Sequence, residues 1–424
     1  MNIQSYTLPA DWQIKAIEEA YRFTKKPTGL RVKDNSEVPF IPMELMPLGK
    51  IFVDDWVMKA TAALGSGTYF ENGDLLVAKI TPSFENGKQA IAKINTPFGY
   101  ATTEVIPIQE IEGTSDKFYL HFVLLHPEIR KELAEKMDGS TGRQRLRKET
   151  LASKQIPFPP LPEQRCIAHV LSTVLSAIEQ QVRLNTLTRE LKSALLSKLF
   201  TEGMRREKQK KTEIGLIPES WSTAQIGSIA KFRSGGTPSR DNPKFWRGGT
   251  IPWVKTTEIN YRVIETTEEF ITEVGLNNSA AKVLPKGTLL VAMYGQGVTR
   301  GRVGILGIDA ASNQACAAIT PLDEKQILTW FLYYYLQFHY QDLRELGHGA
   351  NQRNLNMDLI KTFPLSFPEI EEQQNIVDSL LAFDKKLLLI EQERALLVEL
   401  FYTLLHQLMT GQIRVNNVDL PDLS

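Results

Sequence analysis

The sequence predicts an α+β protein with an internal repeat. Two similar mixed α/β heads are joined by two long helices, which pair as an antiparallel coiled coil with a pseudo-two-fold axis. Three observations predict this. First, Glu163–Gln164 of "PFPPLPEQ" and Glu372–Gln373 of "SFPEIEEQ" stand 209 residues apart, each opening a helical pattern. The same offset carries Pro9 and Trp12 onto Pro218 and Trp221, and Leu199 and Thr201 onto Leu408 and Thr410. Second, between those points the offset widens and returns, as loop insertions allow, so that "NGDLLVAKI" faces "KGTLLVAMY" and "FYLHFVLL" faces "FLYYYLQF". Third, the segment after each Pro-Glu-Gln-like start keeps an apolar period suited to a long paired helix.

The repeat divides the chain into a first head (1–155), a central helical spacer (156–203) and a basic linker (204–212). A second head (213–364), a C-terminal helical spacer (365–412) and a tail (413–424) follow. The 424 residues leave room for several domains, and 42% hydrophobic with 23% charged residues is the balance of a soluble globular protein. No apolar run reaches the roughly 18 residues of a membrane span. The N-terminal "MNIQSYTLPADWQ" has no signal-peptide pattern, so a cytoplasmic protein is expected. Cys166 and Cys316 fit a reducing compartment, with no structural disulfide expected.

Each head shows short β-rich runs between Gly- and Pro-marked turns, and one helix, at "FYLHFVLLHPEIRKELAEKM" and "WFLYYYLQFHYQDLREL". The aromatic residues on those helices are read as core. In the second spacer Ile376, Leu380, Phe383, Leu387, Ile390, Leu397, Phe401, Leu404 and Leu408 alternate spacings of four and three, with Arg394 filling one place. Such a sustained heptad is a coiled-coil seam. The first spacer keeps Ile167, Leu171, Val174 and Ile178, then places Gln181, Asn185, Thr188 and Lys192 on the seam. There the apolar stripe is expected to drift through Leu184, Leu187 and Leu191. Pro162 and Glu163 suit a first helical turn, where a missing N–H costs nothing and the dipole favours an acid.

Net charge is zero, with 49 basic and 49 acidic residues, which argues against wholesale coating of a polyanion but not against local basic surfaces. Between Lys231 and Lys255 six basic residues oppose Asp241 alone, and "GSTGRQRLRK" has no acid. The "MRREKQKK" run after Gly203 is read as a solvated linker. Loops differ between the copies more than the frame does: "TPSFENGKQA" in the first head answers to "GQGVTRGRVG" in the second. Arg, Asn and Gln on Gly-flanked loops are the types that reach phosphates and base edges. Parts for catalysis are missing. There is no G-x-x-x-x-G-K-[ST] loop, no amino-methyltransferase Pro-Pro-aromatic signature, no G-x-S-x-G elbow and no metal-ligand spacing among the six histidines. Glycines in "SGGTPS" and "GQGVTRG" are assigned to turns, and no metal or cofactor is expected.

The strings "TEIGLIPESW", "GGTPSRDNPKFWRGGTIPWVKTTEI", "LPKGTLLVAMYGQGV" and "NQRNLNMDLIKTFPL", with the two helix starts and "VAKITPSFENGK", resemble the specificity (S) subunit of type I restriction-modification systems over the whole chain. That resemblance implies that each head is a target recognition domain reading one half of a split double-stranded DNA target. It implies that the helices set the gap and dock two modification subunits, which carry S-adenosylmethionine and methylate adenine, and that restriction subunits join them. The chain itself would be non-catalytic. The first head departs from the pattern, with "KPTGLRVKDNSEVPF" in place of the "GGTPS…FW" stretch. Candidate DNA contacts are Lys79, Ser83, Asn86, Arg143, Gln144 and Arg145 in the first head. In the second they are Arg233, Thr237, Ser239, Arg240, Arg300, Arg302, Gln352 and Arg353. A standalone DNA methyltransferase and a coiled-coil scaffold without a DNA role remain the alternatives.

Overall fold

The chain forms two compact units, residues 1–185 with 389–424 and residues 186–388. The computed structural model describes residues 8–30, 36–140, 142–295, 297–346 and 355–415. The two long helices, Leu161–Glu202 and Ile370–Met409, each give one half to each unit.

In unit 1 a five-stranded sheet runs in the order Tyr21–Phe23, Val105–Glu110, Leu75–Ala78, Gln89–Ala92 and Phe52–Val53. Its last pair is parallel and the others are antiparallel. In unit 2 the sheet Ala230–Ser234, Cys316–Pro321, Leu289–Ala292, Val303–Leu306 and Val263–Ile264 repeats that order, again with a parallel last pair. A short two-stranded ladder sits beside each. Gln13–Ala16 pairs with Gln155–Phe158, and Ser222–Gln225 with Pro364–Phe367, every strand displaced by 209 residues from its counterpart. Central strands such as Leu75–Ala78 and Leu289–Ala292 are buried on both faces, which is why they read as unbroken apolar runs.

In each unit the two long helices are antiparallel. Ile167, Leu171 and Leu175 from early in the first helix cluster with Phe401, Leu405 and Leu408 from late in the second. In unit 2 Leu196, Leu199 and Phe200 cluster with Ile376, Val377 and Leu380. Buried side chains of this size contribute roughly 1.5–3 kcal/mol each, so apolar burial, not surface charge, sets the pairing.

The repeated helix start has a specific task. Gln164 is fully buried; its Nε2 donates to the carbonyl oxygen of Pro159, and its Oε1 accepts from the backbone N–H of Asp116. Gln373 does the same with Pro368 and Leu328. Asp116 and Leu328 are the N-cap residues of the head helices Lys117–Leu125 and Thr329–Phe338. One glutamine therefore fixes the angle at which each spacer leaves its head.

Three sequence expectations change. The single helix expected in each head is broken in two. Lys117–Leu125 and Pro127–Glu135 meet at His126, and Thr329–Phe338 and Tyr340–Glu345 meet at His339. In the first head Pro127 supplies the break, since it restricts the residue before it to extended backbone. The basic stretch after Gly203 contains the strand Gln209–Thr212, hairpin-paired with Gly215–Pro218, and Lys210 donates to the carbonyls of Glu219 and Trp221. Gly235 and Gly236 serve close packing, not a turn. A Cβ on either would lie 2.2–2.3 Å from backbone atoms of Ser312, Asn313 or Ala281.

His126 lies buried in unit 1 with its Nε2 3.3 Å from Nδ1 of His406. Burial, opposed by Glu128 and helped by His406, pushes its pKa down to about 4. A histidine held neutral when folded stabilises above its unfolded pKa of about 6.5, and loses that contribution as pH falls towards 4. Thermal melts should show unit 1 weakening between those values, and His126→Phe should flatten the slope. An unchanged slope in that variant would remove His126 as the cause.

Candidate nucleic-acid interface and helical faces

The first head brings two of its predicted loops together. Ile80 and Arg145 form an isolated β-bridge, the Thr81 N–H donates to the carbonyl of Gln144, and the Leu146 N–H donates to the carbonyl of Lys79. Lys79, Arg143, Gln144 and Arg145 thus share one edge. Beside them lies a cleft of about 400 Å³ lined by Thr24, Thr68, Lys79, Arg145, Arg147 and Lys148, among others. Arg145 is bidentate to Glu104, with Nε 2.9 Å and NH2 2.8 Å from its oxygens, and this pairing lowers the Glu104 pKa. Arg147 Nε pairs with Asp138 at 2.7 Å. Arg143 is exposed and forms no ion pair among the described residues. Asn86 is exposed as well. Ser83 is buried, so its hydroxyl does not belong to this surface.

In the second head Arg233 is exposed on the edge strand Ala230–Ser234. The Thr237 hydroxyl is tied to Gln314, and the Ser239 carbonyl accepts from the Trp246 indole N–H at 3.0 Å. Arg240 stacks 3.7 Å from the Trp246 ring centroid and 4.9 Å from that of Trp253, and pairs with Glu269. Lys255 reaches both Glu268 and Glu269. The acid-poor run between Lys231 and Lys255 is therefore partly neutralised by carboxylates from outside it. Lys244 and Arg247 stay exposed there. Arg302 donates to Asn260 at 2.7 Å, and Arg300 to the carbonyl of Arg344 at 3.4 Å. Gln352 and Arg353 lie outside the described residues.

The helix seam follows the heptad. Ile167, Leu171, Ile376, Leu380, Leu387, Ile390, Phe401 and Leu408 are buried, and Val174, Ile178, Phe383, Leu397 and Leu404 are half-buried. The polar layer stays in register. In unit 1 Gln181 donates to Glu393 at 3.1 Å, and in unit 2 the buried Lys192 pairs with Asp384 at 2.5 Å, whose other oxygen accepts from the Tyr334 hydroxyl. The expected drift does not occur, because Lys192 finds a charge partner inside the seam. Leu184, Leu187 and Leu191 instead face outward, Leu187 and Leu191 at 52% and 59% exposure. Leu396 and Leu400, 209 residues further on, are 66% and 45% exposed. Each copy thus carries a solvent-facing leucine pair at the same repeat position. Sequence reasoning missed both, although the offset alone would have exposed the match.

Among the described residues no cluster of histidine, cysteine, aspartate and glutamate could hold a metal, no helix is long and apolar enough to cross a membrane, and both cysteines are buried and unpaired.

The type I restriction modification DNA specificity domain matches residues 9–189 and again 218–399. The MjaVIII type I restriction enzyme specificity subunit of Methanocaldococcus jannaschii is 26% identical over 333 residues, 76% of each chain. The EcoR124I/EcoR124II specificity subunit of Escherichia coli is 24% identical over 254 residues, 59% of this chain and 60% of that one. Of solved structures, the type I restriction-modification S subunit from M. genitalium superposes with a TM-score of 0.60 at 18% identity, covering 94% of this chain and 96% of that one. A chain from a study of type I R-M complex assembly and conformational transition gives 0.58 at 16%, over 96% and 100%. At such identities the structural likeness speaks for the fold. With its domain matched twice, once on each copy of the repeat, this chain belongs to the type I restriction modification DNA specificity family.

Proposed function

We propose that this protein is the DNA sequence-specificity subunit of a type I restriction-modification complex, working in the cytoplasm, and that it is not itself an enzyme. One observation carries this: a single five-stranded frame occurs twice in the same strand order, with unlike polar loops at corresponding places. A kept frame with divergent loops is what two different half-site readers require, because base readout depends on the few side chains at the tips. Each head reads one half of an asymmetric, bipartite double-stranded target, and the paired helices set the gap. Two copies of one modification subunit need two copies of one docking face, and Leu187/Leu191 and Leu396/Leu400 supply them. Adenine methylation with S-adenosylmethionine, and ATP-dependent restriction, belong to the partner modification and restriction subunits. The two buried, unpaired cysteines fit the reducing compartment.

The test is N6-methyladenine mapping in a methylation-free host carrying the full chain and its modification subunit. A split motif is expected. Exchanging residues 1–155 for the first head of a relative should change one half and leave the other intact. Arg143→Ala should relax bases in the half that stays when the second head is exchanged. Methylation that is indifferent to both heads, or present without this chain, would return the scaffold alternative.

A further inference from the structure

We propose, on the basis of that function, that Arg344 and Tyr340 clamp the Gly297–Gly301 turn of unit 2 for base reading, and that Val298 at its tip meets the 5-methyl group of a thymine. The loop joins the neighbouring strands Leu289–Ala292 and Val303–Leu306 of the five-stranded sheet. Gly295, Gly297 and Gly301 adopt φ of +141°, +65° and +86°, values that branched side chains avoid. The loop closes on itself through the Gly301 N–H to the Ala292 carbonyl at 2.8 Å and the Arg302 N–H to the Thr299 carbonyl at 3.1 Å.

The short helix Tyr340–Glu345 then grips it from outside. Arg344 NH2 donates to the Gly297 carbonyl at 2.8 Å, and its NH1 to the Tyr340 hydroxyl at 2.5 Å. That hydroxyl donates to the Val298 carbonyl, also at 2.5 Å. Two consecutive carbonyls are thereby fixed, and with them the direction of the Val298 side chain, which is 57% exposed. The guanidinium of Arg344 is spent on its own loop, so it positions and does not itself read. Arg300 and Arg302 both follow the tip in sequence, are half-buried, and are held by the Arg344 carbonyl and by Asn260. An exposed apolar side chain at a fixed loop tip suits a thymine methyl in the major groove.

The repeat isolates what is special about this arrangement. Gly87 closes the corresponding loop of the first head at φ +87°, and a Cβ there would come within 1.8 Å of the Arg130 guanidinium. A Cβ on Gly301 would come within 3.2 Å of Arg344 Cγ. Gly87 and Arg130 each precede Gly301 and Arg344 by 214 residues, the same offset that relates Leu75 to Leu289. The arginine-on-glycine packing therefore belongs to the shared frame. Arg130, however, spends its donors on the Leu124 carbonyl and Gln89, and the first head ties its loop to Gln144 instead. Only in unit 2 does the frame arginine hold loop carbonyls.

The experiment uses the full chain with its modification subunit in a methylation-free host, in wild type, Arg344→Ala, Arg344→Lys and Val298→Ala. Arg344→Ala is expected to make only the half-motif read by unit 2 degenerate, while the other half stays sharp, and Arg344→Lys to restore part of the discrimination. The purified wild-type complex should bind an oligonucleotide roughly fourfold more weakly when uracil replaces one particular thymine, the worth of one buried methyl group. Val298→Ala should be insensitive to that replacement. A sharp motif in Arg344→Ala, or equal loss in both halves, would overturn the clamp, because a merely structural role lowers total methylation without blurring one half. Val298-independent sensitivity at every thymine, or none anywhere, would overturn the methyl contact. A wild type with no split motif would instead sink the proposed function itself.

Discussion

Glutamate at both Leu187 and Leu191 should remove one modification subunit from the complex and leave the other, and the same pair of changes at Leu396 and Leu400 should remove the second. The four side chains are 45–66% exposed, so they contribute little to the fold. Glutamate keeps the helix, since its propensity is close to that of leucine. At a docked face the situation reverses. Two half-exposed leucines removed from water are worth roughly 1.5–3 kcal/mol together, about tenfold to a hundredfold in affinity, before the cost of burying two carboxylates is added. Native mass spectrometry of the reconstituted complex should therefore find one partner with either double variant and none with the quadruple variant, and methylation should vanish in the latter. Leu387→Glu is the control: a buried seam position should lower the melting temperature instead of releasing a partner. Two partners retained by the quadruple variant would place the docking faces elsewhere.

Periodic and local features were legible in the sequence, and long-range pairings were not. Burial from Ile376 to Leu408 is consistent with the heptad, with Phe383, Leu397 and Leu404 half-buried, and the 209-residue offset relates the helix starts and the two-stranded ladders, because both depend on spacing alone. Leu184, Leu187 and Leu191 misled because apolar residues at helical spacing resemble a seam. Their outward position is decided by Asp384, 192 residues from the Lys192 it pairs with, which no local window contains. Likewise Arg145 and Arg240 occupy the expected loops, but their partners Glu104 and Glu269 come from other segments and absorb part of their charge. Ser83 shows a third limit: a polar residue on a Gly-flanked loop can still turn inward when Phe84 beside it anchors the core. Tyr340 and Arg344 sat on a helix read as core, so a grip on the neighbouring loop had no signal until the fold placed them together.

Arg414→Ala should cost unit 1 about 2 kcal/mol, and its repeat counterpart Arg205→Ala should cost unit 2 less than about 1 kcal/mol. The two arginines are 209 residues apart, as are Glu163 and Glu372, which they approach. In unit 1 the buried Glu163 accepts from the Trp12 indole N–H at 2.9 Å and from Arg414 at 2.6 and 2.8 Å, while Arg414 also reaches Asp11 at 2.7 and 3.0 Å. Removing Arg414 leaves a carboxylate at 3% exposure with one neutral donor, an expensive state in a low-dielectric site. The arginine is itself 31% exposed, so the full cost of breaking a buried pair does not apply. In unit 2 Glu372 already accepts from the Met204 backbone N–H at 2.8 Å, and Arg205, 57% exposed, stands 3.4 Å away. Its loss removes one 3.4 Å contact, where Arg414→Ala removes two hydrogen bonds of 2.6 and 2.8 Å to Glu163 at the same repeat position. For units of this size the difference should appear as a melting shift of several degrees for Arg414→Ala and a much smaller one for Arg205→Ala. Equal shifts would mean that the two hubs, alike in sequence, are alike in energy as well, and that the extra pairing to Asp11 and Trp12 adds nothing.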